Sequence, residues 1–279
     1  MNFATIRTAA AQVTFQAPGE QVNGLEAVSD GLWLCDQRDN RCYRVDYSGR
    51  VVSSFPSPAR NASGITVGAG SVWVASNTRP ANIFRHDAAT GLCTAYMVLS
   101  GEGGVHGLQW RPYAPGEQLP AAADKKAELH PTAPAGRLNA GPGVSGTLWV
   151  SRPGAQRIEH LDAETGDELG VIQFPLPRSH GMFWDERDSS LNVAETNGGH
   201  VLRFEPNSGE LLEEWCIEGP EVHGLTRDAQ SRIWIGDAST NQVLLVSDQR
   251  EIEKHEQPRA TAETESERKS VGRDPRRNL

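Results

Sequence analysis

Short runs of alternating apolar and polar residues, about 5–8 long, fill most of the chain and predict β-strands separated by tight turns. The runs recur in groups. One group passes from Asn23-Gly24 through GLWLCD (31–36), RCYRVDYSG (41–49) and VVSSFPSP (51–58). A second passes from Ser63-Gly64 through SVWVAS (71–76), IFRHDAATG (83–91) and LCTAYMVL (92–99). A third opens at His106-Gly107 and resumes with TLWVSR (147–152), RIEHLDAETG (157–166) and ELGVIQFPLP (168–177). A fourth opens at His180-Gly181, with SLNVAE (190–195), VLRFEPNSG (201–209) and ELLEEWCI (210–217). The fifth opens at His223-Gly224, with RIWIGD (232–237) and QVLLVSDQ (242–249).

Four strands per group at a period of about 40 residues is the pattern of propeller blades. The expected fold is all-β: a five-bladed β-propeller spanning residues 1–249. The fifth group lacks a fourth strand, and a ring sheet cannot leave its edges open. Residues 12–16 are expected to supply that strand and close the ring. Trp33, Trp73, Trp149 and Trp234 recur in second strands and are expected to pack between neighbouring blades. The D-x-x-T-G turns at 87–91 and 162–166 need Asp as a cap and Gly at positive φ.

Two stretches break the pattern. Residues 111–145, rich in Pro, Ala and Gly, interrupt the third group. They join a first strand to a second, which puts them on the rim opposite the repeating histidines. Residues 250–279 are mixed-charge with little apolar content and are expected to be disordered.

Composition narrows the function. A net charge of -9 argues against nucleic acid or anionic membrane as partner. No run is apolar enough to span a bilayer. The opening MNFATIRTAAAQVTF has no continuous apolar segment, so no secretory leader is expected. The four cysteines show no metal spacing and read as reduced thiols. These features suggest a cytoplasmic monomer acting on a small molecule.

The candidate chemistry lies just before the repeating glycine of each first strand: Asn23, Ser63, His106, His180 and His223. Three of the five are His, although the whole chain has only 8, so composition alone does not put them there. First strands line the axis, so these side chains should form a ring. Antiparallel return brings the last residue of each second strand to the same rim: Asp36, Ser76, Arg152, Glu195 and Asp237. His106, His180 and His223, with Glu195, Glu221 and Asp237, would then make a divalent-metal or acid–base site. Hydrogen-bonded channel residues holding water are the simpler alternative. His200 lies in a loop on that rim, within reach of a substrate.

The run E-x-H-G-L-T (221–226), then a strand ending in an acid, resembles the streptogramin B lyases (virginiamycin B lyase). His180 stands where that family has its first His, and Glu221 and His223 where it has Glu-x-His. Asp237, fourteen residues past His223, stands where it has Glu. The family is seven-bladed. The resemblance implies a metal-dependent lyase, or a hydrolase, that opens a small ester, lactone or ether. His180, Glu221 and Asp237 would hold the metal: Mg2+ first, with Mn2+, Zn2+ or Fe2+ as alternatives. His223 would be the base and His106 a further ligand or second base. Arg152 would hold an anionic substrate oxygen, or instead pair with a rim acid such as Glu195. Glutamine cyclotransferases, also five-bladed with HGL motifs, and a non-catalytic binding scaffold are the competing classes.

Overall fold

The computed structural model describes residues 6–101, 103–113, 124–125, 127–131 and 146–247. After an opening strand, β1 (Arg7–Gln16), come β2 (Val22–Val28), β3 (Gly31–Asp36), β4 (Arg41–Val45) and β5 (Val51–Pro56). Next come β6 (Ala62–Gly68), β7 (Ser71–Ser76), β8 (Asn82–Asp87) and β9 (Cys93–Leu99). The interrupted group holds β10 (Gly107–Pro112), β11 (Asp124–Lys125), β12 (Ala127–Pro131), β13 (Gly146–Arg152), β14 (Arg157–Asp162) and β15 (Asp167–Gln173). Then follow β16 (Ser179–Asp185), β17 (Ser190–Glu195), β18 (His200–Phe204) and β19 (Leu211–Ile217). The last are β20 (Val222–Arg227), β21 (Ile233–Asp237) and β22 (Gln242–Ser247).

Strands pair antiparallel with their chain neighbours in sets of four. The interrupted group pairs β10 with β13 and runs on through β14 to β15. The set from β20 to β22 takes β1 as its fourth strand, with Gln12 opposite Leu245 and Gln16 opposite Gln242. Before that, Arg7–Ala9 run parallel to Trp215–Ile217 of β19, so β1 staples two sets together.

First strands contact one another in a closed circle, from β2 through β6, β10, β16 and β20 back to β2. The repeating glycines allow this approach. A Cβ on Gly107 would lie 1.9 Å from the His180 carbonyl oxygen, and one on Gly181 would lie 2.4 Å from the Leu225 nitrogen. No side chain fits there.

The four tryptophans are buried in the seams between successive sets. Trp73 packs with Leu108, Trp110 and Leu148, and Trp149 with Met182, Leu191 and Val193. Trp234 packs with Leu25, Leu32 and Leu34, which joins the last set to the first. Its indole N–H donates to Asp228 Oδ2 at 2.8 Å, while Asp228 Oδ1 accepts the N–H groups of Gln230 and Arg232. Asp228→Ala would leave these donors unpaired, one of them fully enclosed. It should lower unfolding free energy by about 1–3 kcal/mol in urea titrations.

The 111–145 interruption is described in part. β12 hydrogen-bonds along the outer edge of β9, and β11 along β15, so these pieces widen two sheets. The remainder, and the expected tail at 250–279, lie outside the described residues.

Candidate functional site

The ring position gathers as its strands dictate. Ser63 Oγ donates within reach of Asn23 Oδ1 (2.9 Å) and the His106 carbonyl (3.0 Å). His106 Nδ1 lies 3.0 Å from His180 Nε2, the rings meeting edge to face. His180 stacks obliquely on His223 with centroids 4.2 Å apart, and its Nδ1 lies 3.2 Å from the His223 carbonyl. His223 Nε2 lies 3.0 Å from Glu221 Oε1.

These acceptors fix the tautomers. A carbonyl only accepts, so His180 carries its proton on Nδ1. Its Nε2 must then accept from His106 Nδ1–H. The Glu221 carboxylate likewise draws the His223 proton to Nε2. Two lone pairs remain, on His106 Nε2 and His223 Nδ1. The latter is buried and has no hydrogen-bond partner among the described residues.

All three imidazoles are held neutral. Burial pushes His106 down to about 4, reinforced by the repulsion it would meet from a protonated His223 and by the Arg178 charge. His180 lies well below the ordinary range for the same reason, with both neighbouring histidines and Arg178 adding to it. Burial also lowers His223, opposed by the hydrogen bond and charge of Glu221. Arg178 is a rim residue that sequence reasoning passed over. Its Nη1 lies 3.1 Å from Asn197 Oδ1 and 3.6 Å from Glu221 Oε1. It stands two residues before His180, as Glu221 stands two before His223, and that offset was the available signal.

The acids at second-strand ends have other partners. Glu195 Oε1 and Oε2 accept the N–H groups of Asn197 and Gly198, at 3.0 and 2.8 Å. Asp237 Oδ1 accepts from Ser239 N–H at 2.9 Å, and its Oδ2 from the Thr240 hydroxyl at 2.9 Å. Asp36 caps its own turn by the same bonds to Arg38 and Asp39. The recurrence of acids here therefore reflects turn capping. Arg152 is shut away from solvent. It pairs with Glu159 at 3.3 Å rather than with Glu195, and donates to the Ser100 carbonyl, so it cannot receive a substrate oxygen where it stands. His200 opens β18 and pairs with Glu214 through Nδ1 at 2.8 Å.

The expected metal set does not fit this arrangement. Among the described residues, no group of three or more His, Cys, Asp or Glu converges as an ion would need. Both nitrogens of His180 are engaged, and Glu195 and Asp237 point into their turns. His106, His180, His223, Glu195, Glu221 and Asp237 thus share a rim without forming one donor sphere for Mg2+ or a similar cation.

No family model and no curated protein matches the chain. Among solved structures it is similar to Myxococcus xanthus glutaminyl cyclase, 12% identical, covering 87% of this chain and 97% of that one, with a TM-score of 0.61. It is similar to regucalcin from Agrobacterium tumefaciens, described as a calcium-binding protein: 14% identical, 88% and 96% covered, TM-score 0.52. A catalytically inactive virginiamycin B lyase from Staphylococcus aureus with quinupristin is also similar: 20% identical, 82% and 67% covered, TM-score 0.47. The chain has a multi-bladed, propeller-type all-β fold. At these identities the likeness concerns the fold alone, and the site rests on this chain's own residues. In propeller terms, the histidines project from innermost strands at the mouth of the axis.

Proposed function

We propose that this chain is a five-bladed propeller enzyme, closed by β1, whose axial histidines open a small ester, lactone or ether by acid–base chemistry. The observation that carries this reading is the hydrogen-bonded imidazole pair ending in the unengaged Nε2 of His106. A neutral, partly exposed imidazole whose other nitrogen is fixed by His180 is a positioned base. In an elimination, His106 Nε2 takes the proton α to the substrate carbonyl. That C–H electron pair forms the new double bond as the C–O bond at the β carbon breaks; an ester or lactone oxygen leaves as a carboxylate and needs no proton, and an ether oxygen takes one from solvent water. In a hydrolysis, the same nitrogen takes a proton from water, whose oxygen attacks the carbonyl.

The test is a panel of small lactones and esters assayed in 18O-labelled water. An unlabelled, unsaturated product marks elimination, and label in the acid marks hydrolysis. His106→Ala should lower kcat/KM at least about 100-fold. The base works unprotonated, and His106 loses its proton near 4. The rate should therefore rise between about pH 3 and 5 and stay flat to neutrality, where an unperturbed His would still be titrating. Unchanged turnover in alanine variants at 106, 180 and 223 would remove the histidines from the chemistry, and no turnover on any member of the panel would leave a binding scaffold instead. Restoration of chelated protein by Mg2+ would overturn the metal-free route.

A further inference from the structure

A base works only on a substrate held in one orientation, and Arg152 is enclosed with Glu159 and cannot hold it. Arg178 is placed to do so. It is the last residue before β16, two before His180, and its side chain is 45% exposed.

One end of its guanidinium is tied down. Nη1 lies 3.1 Å from Asn197 Oδ1, in the turn between β17 and β18, and 3.6 Å from Glu221 Oε1, just before β20. Glu221 in turn lies 3.0 Å from His223 Nε2, so one carboxylate links Arg178 to the imidazole cluster. The other edge is open. Nε and Nη2 of Arg178 have no hydrogen-bond partner among the described residues. Those two nitrogens present parallel N–H groups, the fork that a carboxylate accepts with both oxygens. In a planar guanidinium that edge lies opposite Nη1, so it faces away from Asn197 and Glu221. β10, which follows His106, contacts β16 on the side away from β20.

The charge of Arg178 reaches the base. It lowers the pKa of His106, of His180 and of His223. At His223 the Glu221 and Asp237 carboxylates oppose it, whereas at His106 no carboxylate does. The side of the mouth that holds the unengaged His106 Nε2 therefore favours an anion.

We infer that substrates of the axial site carry a carboxylate, gripped by Nε and Nη2 of Arg178 while His106 works on the ester, lactone or ether group. Arg178 is then the residue that sets specificity. This rests on the acid–base reading of the histidines.

The test uses tetrahydrofuran-2-carboxylate, whose ring oxygen sits on the α carbon, so that it has neither an acyl bond to hydrolyse nor a β C–O bond to eliminate. Calorimetry on the full chain at pH 7 should show saturable binding, with the neutral primary amide of the same ring at least about tenfold weaker. Arg178→Gln should keep the melting temperature, weaken the acid at least about tenfold and leave the amide unchanged. Arg178→Lys, which keeps the charge but not the fork, should recover only part of the loss. On lactones with and without a carboxylate substituent, Arg178→Gln should raise KM at least about tenfold for the acid at unchanged kcat, and alter neither constant for the neutral lactone. Equal affinities for acid and amide, undiminished acid binding to Arg178→Gln, or no saturable heat up to about 10 mM acid would overturn the inference. Turnover of neutral lactones with no gain from a carboxylate would remove the clamp and keep the acid–base reading. Selective binding of the acid with no turnover of any lactone or ester would keep Arg178 as a carboxylate site and remove that reading.

Discussion

Glu26→Gln should make the protein more stable at pH 9 than the parent chain, while the two unfold alike near pH 4. Glu26 sits on an innermost strand with its carboxyl enclosed beside Gln109 and Thr66. Burial raises its pKa from 4.5 to about 8, against the opposing pull of those two hydrogen bonds. One of its oxygens has no hydrogen-bond partner among the described residues. The native state therefore keeps a proton there that the unfolded chain gives up near 4.5. Stability from this group is complete below 4.5 and is lost as pH rises through about 8. At about 1.4 kcal/mol per pH unit, the window is worth a few kcal/mol. Gln keeps the shape and the hydrogen bonds but cannot ionise. Urea unfolding of both proteins at pH 4, 7 and 9 checks this. A parent-minus-variant difference that does not change with pH would show that the carboxyl is solvated.

Gly107→Ala should disrupt both the fold and the site. The added Cβ would meet the His180 carbonyl oxygen at 1.9 Å and its carbon at 2.8 Å, and neither backbone atom can swing aside. Relief requires β10 and β16 to separate, which breaks the 3.0 Å contact between His106 and His180. A cost of about 3 kcal/mol or more is expected, at or above the upper end for overpacking. Gly70→Ala is the control. Gly70 has φ of +69° but open space around it, so only backbone strain of about 1 kcal/mol applies. Thermal melts of the two variants should differ by several degrees.

The repeat was legible because its causes are local and recur. Alternation sets the strands, Asp and Gly set the turns, and glycine after the ring position lets innermost strands touch. Each cause acts within a few residues and leaves a mark in every group. The placement of His106, His180 and His223 at one mouth followed from that periodicity.

What the carboxylates do was not legible. An acid at the end of a second strand can face the axis or fold back on its own turn, and one residue type serves both. Asp36, Glu195 and Asp237 all turn back, because amide donors two or three residues on lie within hydrogen-bond distance. Arg152 read as a substrate clamp because its buried partner, Glu159, lies on the next strand, facing inward. Glu26 gave no signal, since its enclosure depends on Thr66 and Gln109 from two other blades. The sequence by itself determined strand periodicity, strand order and the shared mouth of the histidines, since those depend on neighbours along the chain. Only the tertiary structure decided which side chains are enclosed and which tautomers the imidazoles hold, since those depend on atoms brought together from distant blades.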